Sequence, residues 1–271
     1  MAESADIIIP GTNDGFEGPW TIKHSWLKLE LMYGLLGPWT PNWSLAFDTY
    51  AATRGPLAGA PNLADFCLTT LMNSRLRTTD VQRLTAWLAV PENRARLEDA
   101  RACLAKTKGL ADATDRDLTP LASLIDSMVE DRGALRGIHM AKIYKWLAAW
   151  APAHVPMIDR YVHDALTNRA RRGSVPALEL LRRFRRLVRD NARSIAALQQ
   201  AFLRDAHPEK DPRPALTAVR VVDKLLWFDW WGIYRYAGEL GRWVTPVTGQ
   251  NAQHHGITVV GEEHARSQGL L

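Results

Sequence analysis

The sequence predicts an all-α protein, on three observations. Apolar residues recur at spacings of three and four along most of the chain, prolines and glycines cut those stretches into helix-length pieces, and strand-like character in the tail is confined to "GITVVG". The first periodic stretch, "KHSWLKLELMYGLLG", sets Trp26, Leu29, Met32, Tyr33 and Leu36 on one helical face and ends at "GPWTPN", whose prolines break it. "WSLAFDTYAA" reads as a short helix or turn, and "RGPLAGAP" as a loop. Asn62 is placed to cap "LADFCLTTLMNS" by accepting a free first-turn N–H. "TTDVQRLTAWLA" stops at Pro91, and "ENRARLEDARACLAKTKG" stops at Gly109, a favourable residue just past a helix end. Residues 116–131 form a helix that buries Leu121, Leu124, Ile125 and Met128, and Gly133 and Gly137 bracket the tight connection after it. Further helices are expected over about 139–150, 159–171, 176–205 and 214–229, with another at 230–240.

A chain of 271 residues makes one large domain or two closely packed ones, and 46% hydrophobic with 23% charged residues is an ordinary globular balance. The two cysteines, Cys67 and Cys103, are too few for a disulfide framework, a four-cysteine zinc site or an iron–sulfur cluster. His254-His255 has no clear third ligand nearby, so neither a metal nor another cofactor is expected. The N-terminus "MAESADIIIPGTNDGFEG" lacks the basic region and apolar core of a signal peptide, and no apolar run approaches the roughly 20 residues that cross a bilayer. The expectation is a soluble, cytoplasmic protein with no membrane partner. A net charge of +5 and a pI near 9.4 permit a polyanionic partner without requiring one. From Arg169 to Arg204, ten arginines stand against Glu179 and Asp190, a bias that suits either phosphate contact or a charged solvent face.

The stretch "LRGIHMAKIYKWLAAWAPAHVPMIDRYVHDAL", Leu135 to Leu166, concentrates the chemistry. A glycine-containing turn between two helices lines up backbone N–H groups at the start of the second, and these grip a phosphate without reading sequence. Here the turn runs through Arg136, Gly137, Ile138 and His139, with His139 a candidate phosphate contact. Lys142 and Lys145 join Arg136 in adding cationic charge on or near the same surface, and Arg160 is a further candidate DNA contact. Pro152 and Pro156 end the second helix and stiffen the path to Asp159, which directly precedes the apolar-periodic positions Tyr161, Val162, Ala165 and Leu166. By itself an Asp in that place is a helix cap.

The pattern Leu-x-Gly-Ile-x-x-x-Lys, an apolar helix, then Val-Pro-x-x-Asp-x-x-Val resembles the helix-hairpin-helix DNA glycosylases. Leu135, Gly137 and Ile138 match that family's hairpin, Val155 and Pro156 its proline-rich turn, and Asp159 its catalytic acid, over about 32 of the 271 residues. The sequence departs from the family in having His139 where the hairpin carries a second glycine. Lys142 also lies one or two residues nearer the Asp than the family's nucleophilic lysine, and the iron–sulfur cysteines of the endonuclease III branch are missing. The resemblance implies two helical subdomains around a cleft: residues 1–112 packing with the C-terminal segment 206–271, and a hairpin subdomain over 113–205.

It also implies double-stranded DNA as partner, with one base flipped out of the stack. Breaking the glycosidic bond builds positive charge on the sugar, which a carboxylate beneath the ring stabilises while orienting or deprotonating a water. A helix N-terminus is expected to keep Asp159 ionised. A flipped base needs an apolar and aromatic pocket, for which Tyr33, Trp39, Trp43 and Tyr50 are candidates, with His154 and Asp223; most of the 11 tryptophans are expected in the core. Arg220 and Asp223, at i and i+3, equally suit a local ion pair in a structural helix. Lys142 suits either an amine nucleophile giving lyase activity or a phosphate contact, and a monofunctional enzyme is expected. The base itself, a lesion or a modified base of phage DNA, is not written in the motif, nor is the oligomeric state. Two other readings stand beside this one: a non-catalytic helix-hairpin-helix DNA-binding protein in which Asp159 is only a cap, and an all-helical interaction module.

Overall fold

The computed structural model describes residues 7–9, 20–22, 25, 29, 43–72, 74–167, 175–204 and 213–231. The fold is all-α, with a small antiparallel ribbon. The ribbon pairs β1, Ile7–Ile9, with β2, Trp20–Ile22, in the register Ile8↔Thr21. The described helices are α1, Trp43–Arg54; α2, Leu63–Cys67, continued as a 3-10 turn over Leu68–Met72; α3, Thr78–Ala89; and α4, Pro91–Leu104. After them come α5, Asp115–Glu130; α6, Met140–Trp150; α7, Arg160–Thr167; α8, Ala177–Asp190; α9, Ala192–Arg204; and α10, Ala218–Trp231. None of these helices is long and apolar enough to cross a membrane.

Local chemistry starts the helices. The Asn62 side chain accepts from Ala64 N at 2.8 Å and Asp65 N at 3.1 Å, and Asp65 returns the bond to Asn62 N, so α2 opens on a capping box. Thr114 and Asp117 do the same for α5. Pro91 opens α4, where a missing N–H costs nothing.

The sequence expectations fail at three places. The helix expected after Asn62 tightens into the 3-10 turn from Leu68. The long helix expected over 176–205 breaks at Asn191, because that buried side chain leaves the helix pattern to hold β1. Asn191 Oδ1 accepts from Ile8 N at 2.7 Å, and its Nδ2 donates to Ile8 O at 2.7 Å and Leu187 O at 3.0 Å. The ribbon itself was not expected, since three-residue strands carry no readable alternation. The helix at 230–240 and the "GITVVG" strand lie outside the described residues, apart from the last two residues of α10.

Helix α6 is the centre of the molecule. Every residue from Ile143 to Trp150 is buried, against α1, α2, the 3-10 turn and α5. Trp146 and Trp150 satisfy their indole N–H groups on Asn62 O at 2.9 Å and Gly59 O at 2.7 Å, so both contribute their full apolar area to the core. Truncating either to alanine would cost about 3–5 kcal/mol. Helix α10 packs on α7, α8, α9 and β2.

Candidate functional site

The hairpin is present as a unit: α5, a turn through residues 131–139, and α6. Gly137 takes the left-handed φ of +92° that closes the turn, a conformation that side-chain-bearing residues avoid. His139 occupies the extended position before α6 and makes no side-chain cap. The Lys142 amide turns back to His139 O at 2.8 Å, while the Met140 and Ala141 amides ahead of it take no side-chain cap from His139; Arg136 and His139 are exposed at the turn and Ile138 is buried as the anchor.

The two lysines of α6 go to different places. Lys142 donates to Asp80 on α3 at 2.7 Å and to Gly137 O at 3.1 Å, and Arg83 donates to Arg136 O. Asp80 is buried, which alone would raise its carboxyl, but the Lys142 ammonium and the Arg77 amide hold it below the ordinary value. Lys142 is thus the brace of the hairpin turn and not an amine facing Asp159. Lys145 is buried rather than displayed for phosphate: its Nζ donates to Met72 O at 2.6 Å, and the charge of Asp159 acts on its ammonium. Burial pushes its ammonium down, Arg220 adds to the fall, and Asp159 opposes it.

Asp159 sits at the head of α7, partly exposed. Its Oδ1 accepts from Tyr161 N at 2.9 Å and Val162 N at 3.1 Å, a helix cap, and the carboxylate also takes the Trp227 indole N–H. The helix end is one influence on this carboxylate and not the largest. Burial outweighs Lys145, the two amides and the indole together, and the carboxyl is raised above its ordinary value.

Behind Asp159 lies a buried charge network. Arg220 on α10 donates to Asp48 on α1 at 2.6 and 3.4 Å and to Asp223 at 2.5 Å, and its guanidinium lies 5.5 Å from the Phe47 ring centre. Asp223 also accepts from Met157 N at 3.0 Å. Lys224 donates to Ser44 Oγ at 2.8 Å. Asp223 therefore holds the backbone two residues before Asp159 instead of lining a pocket for a base. Sequence reasoning missed Lys145 as a charge acting on Asp159, the buried Asp48 and Lys224, and the tie from Trp227 to Asp159. A signal was present, because Arg220, Asp223 and Lys224 interrupt an otherwise apolar run from Ala218 to Phe228.

The other candidates are spread over the fold. Tyr50 donates to Asp65 at 3.1 Å beside Arg54, joining α1 to α2, and burial and then Asp65 raise its phenol. His154 Nε2 lies 2.9 Å from Thr107 Oγ1 on the connection after α4, and burial pushes the imidazole down. Arg160 is exposed, 3.8 Å from Asp164. Tyr33, Trp39 and the Trp43 side chain lie outside the described residues.

Much of the arginine bias is structural. Arg182 and Arg185 pair with Asp115 at 2.9 and 2.7 Å, Arg189 donates to Ala111 O at 2.5 Å, and Arg183 donates to Glu179 at 2.9 Å and Leu166 O at 3.0 Å. These bonds clamp α8 to the entry of α5 and the end of α7. Among the described residues no three His, Cys, Asp or Glu side chains converge as a metal site requires. Compared with family models, curated proteins and solved structures, the chain matches none.

Proposed function

We propose that the protein is a DNA N-glycosylase that excises a damaged or modified base from double-stranded DNA, with Asp159 as the carboxylate beneath the reacting sugar. The observation that carries this reading is the joining of an open hairpin turn to a capped carboxylate by one rigid helix. Helix α6 begins with amides that no side chain caps and, about 8 Å of rise farther on, carries Lys145, the lysine whose charge acts on Asp159. A backbone phosphate on those amides, flanked by Arg136 and His139, would set the duplex so that a nucleotide turned out of the stack reaches Asp159.

In the reaction the bond from the sugar C1′ to the base breaks and its electron pair leaves with the base. The cationic sugar is stabilised by ionised Asp159, and water adds at C1′ and gives up its proton through the carboxylate to solvent. Lys142, held by Asp80 and Gly137 O, is not free for attack, which supports water as nucleophile and a monofunctional enzyme. The base is a lesion or a phage-type modified base.

Duplexes carrying a panel of damaged and modified bases, treated with alkali after incubation, test the proposal. Strand cleavage at one class of base, lost in Asp159→Asn, is the expected outcome. Salt-dependent DNA binding with no base released from any duplex would instead favour the non-catalytic reading, and no DNA affinity at low salt would favour the interaction module.

A further inference from the structure

We infer that α10 is the element that positions Asp159, with Asp223 fixing the backbone that leads to it and Trp227 orienting its carboxylate. The inference rests on the reading of Asp159 as the reacting group. The segment between α6 and α7 meets α10 and the residue before it at successive points. Thr217 Oγ1 donates to Pro152 O at 2.7 Å, Asp223 accepts from Met157 N at 3.0 Å, and the Trp227 indole donates to Asp159. Trp227 also stands edge-on to Tyr161, with ring centres 6.2 Å apart and planes at 87°. Asp223 and Trp227 are four residues apart, so consecutive turns of one helix face hold consecutive parts of the segment.

Helix α10 is itself locked. Arg220 joins Asp223 to Asp48 with all three side chains buried, so α10 cannot turn about its axis without stranding a charge. A helix cap needs only the two amide bonds that Asp159 Oδ1 already makes. The indole and the Met157 anchor go beyond capping, and they fix the direction in which the carboxylate faces.

The groups that act on the Asp159 carboxylate are Lys145 from α6, the Tyr161 and Val162 amides of its own helix, and Trp227 from α10. Arg220, Asp223 and Lys224 stand behind them on α10, and Asp48 on α1. Losing the indole N–H removes one donor that favours the ionised form while leaving the other groups in place.

The decisive measurement is a carbon-13 titration of the Asp159 carboxyl in the full chain and in Trp227→Phe, which keeps a ring against Tyr161. The midpoint is expected to rise by about one pH unit, and an unchanged midpoint overturns the inference. Met157 amide exchange should quicken at least about tenfold in Asp223→Ala and return toward the parent rate in Asp223→Asn, which keeps an acceptor oxygen. Equal exchange in all three proteins also overturns it. On a duplex that the parent protein processes, Trp227→Phe should lower kcat about tenfold with KM nearly unchanged, and move the acid limb of the rate profile with the carboxyl midpoint. A lowered kcat with an unmoved limb counts against the inference. If the parent protein releases no base, the glycosylase reading fails, while the titration and exchange still decide whether α10 positions Asp159.

Discussion

Two amides, an indole and an ammonium favour the charged form of Asp159, yet burial raises its carboxyl above the ordinary value of 3.8. The stability linked to this group is therefore fully present below the unfolded value and lost as pH rises through the raised one, so ionised Asp159 costs the fold something at neutral pH. Asp159→Asn keeps an acceptor oxygen for the cap and removes the charge. It should melt no lower than the parent protein at pH 7 by calorimetry while excision falls at least about a hundredfold. The excision rate of the parent protein should begin to fall on the acid side above 3.8, and a profile flat down to that value would contradict the assignment. Asp159 and Gly137 could be read from the sequence because their chemistry is local, a cap before a periodic helix and a glycine in a tight turn. The division of labour between Lys142 and Lys145 could not. They stand three positions apart, and what decides is Asp80, 62 positions from one, and the Met72 carbonyl, 73 positions from the other.

The hairpin shows what an element inherits from its neighbours. A Cβ on Gly137 would meet Asp80 Oδ1 at 3.1 Å in a backbone conformation already unfavourable to it, and Asp80 cannot retreat without leaving Lys142. Gly137→Ala should therefore cost about 1–2 kcal/mol in denaturant unfolding and weaken duplex binding. Gly133→Ala is the control, because its Cβ would meet only Asp131 Oδ1 at 3.7 Å, an ordinary contact. Equal stabilities for the two variants would show that the turn does not depend on its left-handed glycine. The same dependence on neighbours explains which elements the sequence announced. Helices closed by Pro91 or opened by Asn62 and Thr114 start or stop by their own chemistry. The break at Asn191 and the ribbon it holds rest on hydrogen bonds spanning 183 positions, for which no local spacing is a cue.

Across the whole molecule, buried charge joins regions far apart in sequence. Lys224 on α10 reaches Ser44 on α1 at 2.8 Å and Met72 Sδ at 3.9 Å, so one ammonium ties α10 to two elements from the first third of the chain. Burial pushes that ammonium down to about 7, with Arg220 adding to the fall against Asp48 and Asp223. Burial likewise raises the Asp223 carboxyl to about 6 against the pull of Arg220. The two groups act on stability in opposite pH ranges. Stability linked to Asp223 is present below 3.8 and lost as pH rises through about 6. Stability linked to Lys224 is present above 10.5 and lost as pH falls through about 7, because between those values the unfolded chain holds a proton that the folded one has released. The network thus contributes least between about 6 and 7 and regains stability as the medium turns alkaline. Urea unfolding of the full chain at pH 7 and pH 9 should show a gain on the order of 1–2 kcal/mol. Lys224→Met, which keeps the packing and cannot ionise, should flatten that gain. Parallel pH profiles for the two proteins would mean that the ammonium stays charged in its buried setting, and that the bonds from α10 to α1 and to Met72 are held by a cation at every pH in the range.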